Sequence, residues 1–130
     1  MKDLSECTVL IVDDTEANID ILMEILEEYD LVVAMDGESA LETVEEELPA
    51  LILLDVLMPD IDGFEVCKRL KSSPETATVP IIFLSALSED EEKQKGLDLG
   101  AVDFITKPFD PSEIQAKVKQ HLLALIEGKL

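Results

Sequence analysis

Basic side chains are scarce: ten Lys and Arg stand against thirty Asp and Glu in 130 residues, for a formal net charge of -20. Such a chain is repelled by phosphate backbones and anionic lipid headgroups, which argues against nucleic acid and membrane as partners and favours metal cations. Cysteine is nearly absent. Cys7 and Cys67 fall on an expected strand and an expected helix without the CxxC spacing of a redox or metal site, so both read as reduced packing residues of a cytoplasmic protein. No disulfide is expected. No apolar run approaches the roughly 20 residues that span a bilayer, and Met1-Lys2-Asp3-Leu4-Ser5-Glu6 has no apolar signal core. Walker lysine, GxGxxG and HExxH patterns are also missing, so nucleotide-binding and zinc enzymes have no support.

What the chain does have is a series of short aliphatic runs. Leu51-Ile52-Leu53-Leu54-Asp55 is too short for a helix core and reads as a strand buried on both faces, ending on a carboxylate at the rim of the sheet. Pro59, Asp60, Asp62 and Gly63 then suit a turn. Further strands are expected at Cys7 to Val12, Leu31 to Met35, Pro80 to Ser85 and Val102 to Ile105. Between them, Ile19, Leu22, Met23 and Leu26, then Leu41, Val44 and Leu48, then Phe64, Cys67 and Leu70 recur at helical spacing.

Ser88 with Glu91 three residues on predicts a capped helix closed by Gly100, weakened inside by Gly96 at a cost of about 1 kcal/mol relative to alanine. Asp110, Pro111 and Glu113 open a last helix with Ile114, Val118, Leu122 and Leu125 as its core stripe, and the lone His121 is expected at the surface or boundary. Residues 1–130 are therefore expected to form one domain with its core between about 7 and 127. Its fold class is α/β: a doubly wound, five-stranded parallel sheet with five helices and the flavodoxin-like strand order 2-1-3-4-5.

Ligands of such sheets bind beyond the carboxyl ends of the strands, at the switch point between the first and third. Those ends carry Asp13 and Asp14, Asp55, Ser85 and Lys107. Singly, each has an ordinary reading as a helix cap, a loop acid, a strand end or a surface charge. Jointly they converge on one rim, where three carboxylates are tolerable only with a cation, an ammonium or a raised pKa. Hard oxygen ligands favour Mg²⁺, with Mn²⁺ as the alternative. Asp55 then becomes a nucleophile toward phosphorus, with Asp13 and Asp14 holding the metal, Lys107 offsetting charge and Ser85 hydrogen-bonding the phosphoryl group.

Val12-Asp13-Asp14, Asp55 with Met58-Pro59 and Gly63 following, Ser85-Ala86, Gly100-Ala101-Val102-Asp103-Phe104 and Lys107-Pro108-Phe109 together resemble the receiver domain of two-component response regulators, the CheY-like family. The resemblance implies that Asp55 is the phosphoacceptor and that the Leu57 backbone carbonyl completes a metal site of Asp13, Asp14 and Asp55. It further implies that Ser85 and Phe104, the latter an aromatic at the surface, form a switch pair. The implied donor is a phosphohistidine on a histidine kinase or phosphotransfer protein, or a small acyl phosphate. The implied reader is an output domain or protein partner on the Ser85–Phe104 face. Pro59, Gly63 and Pro108 are structural in this reading, and the Lys107–Pro108 bond is a candidate for the cis form.

A phosphatase of the haloacid-dehalogenase type places a second Asp two residues after its nucleophile, where this chain has Leu57. An EF-hand register on Asp60-Ile61-Asp62-Gly63 puts Met58 and Arg69 at ligand positions and fails. A degenerate receiver that only docks is disfavoured by the complete acidic set. Leu57 also stands where the family often has a polar side chain, which predicts slow loss of the phosphoryl group. Leu123, Ile126 and Leu130 lie outside the core stripe, room for a homodimer or simply a frayed end.

Overall fold

A computed structural model describes residues 4–86 and 90–127. Five parallel strands, β1 (Thr8–Val12), β2 (Asp30–Ala34), β3 (Leu51–Asp55), β4 (Ile81–Ser85) and β5 (Asp103–Thr106), form one sheet in the order β2-β1-β3-β4-β5. The helices α1 (Glu16–Ile25), α2 (Gly37–Glu46), α3 (Gly63–Lys71), α4 (Asp90–Asp98) and α5 (Pro111–Ile126) alternate with them. Right-handed crossovers put successive helices on opposite faces where the strand order reverses, and the sheet is accordingly covered on both sides.

Side-chain alternation divides the core. Val9, Ile11, Leu53, Leu84 and Ile105 pack with α1 and α5, whereas Leu10, Val12, Leu54, Phe83 and Phe104 pack with the residues of α2 and α3. All five residues of β3 and all five of β4 are buried, as a near-continuous apolar run in the middle of a parallel sheet requires. Asp36, Asp62 and Asp110 accept hydrogen bonds from the amides of Ser39, Glu65 and Ser112, so α2, α3 and α5 each begin on a carboxylate that pairs an otherwise free donor.

Several sequence expectations shift by a turn or a face. Cys7 lies just before β1 and Pro80 just before β4, both buried. The first helix stops at Ile25, where Leu26 caps it, and Met23 faces outward. Leu48 lies past the end of α2 and is exposed, and Leu125 is only half-buried. Gly96, expected to weaken its helix, has a packing reason: a Cβ there would stand 2.8 Å from the Phe83 ring. The capping residue Ser88 lies outside the described residues.

Candidate functional site

Four strand tips supply the polar groups. Asp13 and Asp14 follow β1, Asp55 ends β3, Ser85 ends β4 and Lys107 follows β5. The in-register pairing of Asp55 with Leu84 and of Ser85 with Thr106 holds these tips level, and the Lys107 amide donates to the Ser85 carbonyl at 2.8 Å. Asp13 is fully buried and half committed to local contacts: its Oδ1 accepts from the Thr15 amide at 2.9 Å and its Oδ2 from the Asn18 side-chain amide at 3.3 Å. Asp14, beside it, is exposed. Lys107 Nζ stands 3.3 Å from Asp13 Oδ2 and 3.2 Å from Asp55 Oδ1, bridging the two buried acids, and the Lys107–Pro108 bond is cis.

Asp13, Asp14 and Asp55 each offer a carboxylate oxygen, and these oxygens lie within 4.8 Å of one another. Two of the three residues are withdrawn from water, with Asp55 only 3% exposed. Burial first, and then the Asp13 charge, raise the Asp55 pKa to about 6, against the opposing pull of Lys107 and of a hydrogen bond from the Leu57 amide. One ammonium does not neutralise three carboxylates. The donor set of hard oxygens, converging and under-compensated, fits a divalent cation.

The loop from β3 to α3 leaves this pocket under tight constraint. Gly63 donates its amide to the Val56 carbonyl at 2.8 Å, and a Cβ on it would overlap the Asp55 carbonyl oxygen. Its role is therefore close approach; its φ is not positive. Leu57, in contrast, is 57% exposed at the rim. Pro59 and Pro108 are exposed too.

Phe104 departs from expectation. It is 8% exposed, paired across the sheet with Phe83, whose ring centroid lies 6.4 Å from its own, so it is a core residue in this conformation rather than a surface aromatic. His121 is also buried, at 9% exposure, because Asp103 on β5 meets it: Nε2 lies 3.1 Å from Asp103 Oδ2. Lys117 completes that cluster, 3.1 Å from Asp103 Oδ1 and donating to the Phe104 carbonyl at 2.9 Å. Neither the Asn18 contact nor this cluster is legible in the sequence, since each depends on a distance between side chains that periodicity does not encode. Among the described residues, no helix is long and apolar enough to cross a membrane.

The model of the response regulator receiver domain family matches residues 9–119. The alkaline phosphatase synthesis transcriptional regulatory protein PhoP of Bacillus subtilis is 47% identical over 113 residues, which are 85% of this chain and 46% of that protein. Response regulator PleD of Caulobacter vibrioides is 44% identical over 85% of this chain and 25% of its own length. The chain thus spans less than half of these curated relatives. A crystal structure of a putative response regulator from Chloroflexus aurantiacus superposes with a TM-score of 0.87 at 38% identity, covering 91% of this chain and 98% of that one. With a family model over most of its length and its carboxylates gathered at the strand tips, this chain belongs to the response regulator receiver domain family, and its acidic pocket accepts a phosphoryl group.

Proposed function

We propose that Asp55 is the phosphoacceptor and that the domain takes its phosphoryl group from a phosphohistidine on a histidine kinase or phosphotransfer protein. The observation that carries this reading is the position of Asp55. It is buried at the tip of β3, 3.2 Å from the Lys107 ammonium and grouped with Asp13 and Asp14. An ionised Asp55 oxygen attacks phosphorus in line, the P–N bond breaks, and its electron pair returns to the donor imidazole, which takes up a proton. Lys107 stands where it can offset charge on the transferring oxygens, and Ser85 one strand away can hydrogen-bond the group once it has arrived.

Mg²⁺, or Mn²⁺ in its place, would be held by Asp13, Asp14, Asp55 and the Leu57 backbone carbonyl, and would supply charge neutralisation for the phosphoryl oxygens. The response is a shift in the Ser85–Phe104 pair: the hydroxyl turns to the phosphoryl group, and the buried Phe104 ring changes its packing. An output domain or protein partner reads that face. In this reading the domain works in the cytoplasm, with its histidine kinase donor. Acetyl phosphate with Mg²⁺, followed by intact mass, tests the reading: wild type gains one phosphoryl group and Asp55→Ala gains none. Equal labelling of the Asp55→Ala chain would overturn it.

A further inference from the structure

The loop after Asp55 is fastened both within the pocket and outside it. Near its end, Gly63 closes back on Val56. In its middle, Asp60 leaves the site altogether and reaches α2, where Oδ1 accepts from the Gly37 amide at 3.1 Å and Oδ2 from the Glu38 amide at 2.9 Å. The next residue reinforces the attachment. Ile61 packs over Gly37, where a Cβ would overlap its side chain and would stand 2.9 Å from Val66 Cγ2, so a glycine at 37 is what lets the loop lie down on the helix. Desolvation would raise the Asp60 pKa, but hydrogen bonds from the Glu38, Gly37, Ile61 and Asp60 amides together outweigh it and hold the carboxyl below its usual value.

This second carboxylate is not needed to begin the helix. Asp36 already caps α2 by accepting from the Ser39 amide at 2.7 Å. Asp60 uses both oxygens, from 23 and 22 residues away in sequence, on the two remaining first-turn donors. It lies three residues after Leu57, whose amide already bonds Asp55 and whose carbonyl is assigned above to the metal.

We infer that Asp60 is a positioning residue for cation binding: by tying the β3–α3 loop to the first turn of α2, it fixes the Leu57 backbone at the distance the metal site requires. Groups that orient a metal's direct ligands are commonly worth about tenfold or more in affinity. The inference rests on the metal-dependent reading above.

Calorimetric titration of the whole chain with Mg²⁺ separates the two. Asp60→Ala is expected to weaken binding by about tenfold, and its rate of phosphorylation by acetyl phosphate is expected to recover as Mg²⁺ is raised. Asp36→Ala removes a cap from the same helix without touching the loop, and its Mg²⁺ affinity is expected to stay near wild type. Asp60→Asn keeps one acceptor oxygen, should fall between, and serves if the alanine variant does not fold. Equal affinities for wild type and the Asp60 variants, or an equal loss in Asp36→Ala, would overturn the inference. A wild type that binds no Mg²⁺ would instead overturn the metal-dependent reading itself.

Discussion

Asp55 holds a proton more tightly in the folded chain than in the unfolded one, because burial and Asp13 raise its pKa from 3.8 to about 6. In that interval the native state is the more protonated of the two, so stability falls as pH rises from about 4 through 6 and stays reduced above. The interval corresponds to roughly 3 kcal/mol. Asp55→Asn should therefore raise the melting temperature by several degrees at neutral pH in EDTA, with the gain shrinking below about pH 6 and vanishing near about pH 3, where both states are protonated. An equal gain at both pH values would show that the carboxylate charge is not the cause. Leu57 makes a second test. Its side chain is exposed at the rim, where an apolar group is expected to shield an arriving phosphoryl group from water, so Leu57→Asn should shorten the life of the phosphoform several-fold; an unchanged or longer life would end that explanation.

Between β5 and α5, Asp103 gathers His121, Lys117 and the Phe104 amide, which donates to it at 2.8 Å. Burial alone would raise the Asp103 pKa, but the hydrogen bonds from His121, Phe104 and Lys117 prevail and lower it. A depressed acid contributes stability above its unfolded pKa and loses it as pH falls through the folded value. Asp103→Asn should cost about 1–3 kcal/mol at neutral pH, and the difference should close in acid, as urea melts would show.

This element pair also marks the limit of what the sequence discloses. The strands are legible because each is a short apolar run ending on a turn, and the tips follow from them: Asp13, Asp14, Asp55 and Lys107 lie together, and Ser85 ends the neighbouring strand. His121 reads from the sequence as a surface or boundary residue because its partner sits 18 residues away on another element. Met23 and Leu48 were placed inside because a stripe says which residues could face the core, not where the helix stops. Asp60 looked like a loop acid, since its hydrogen bonds run to a helix that precedes it by more than 20 residues.

Over the whole molecule, a net charge of -20 on 130 residues makes self-repulsion a general cost of the folded state. Monovalent salt should raise the melting temperature steadily as the Debye length shrinks toward about 3 Å, whereas Mg²⁺ should add a further, saturating increment at low concentration. Asp13→Asn should abolish the increment and leave the salt response in place. The strand order, too, is a whole-molecule property that local pattern reached through a general rule: right-handed crossovers leave few ways to cover a five-stranded parallel sheet. What that rule could not supply was the packing of Phe104, which is found buried against Phe83.

The central claim is that one carboxylate among many carries the phosphoryl group. Borohydride reduces an acyl phosphate to an alcohol, so treating the phosphorylated chain and sequencing its peptides by mass spectrometry marks the labelled residue permanently. Homoserine at position 55 and at no other aspartate is the predicted result; homoserine at Asp13 or Asp14, or spread across the acidic surface, would contradict it.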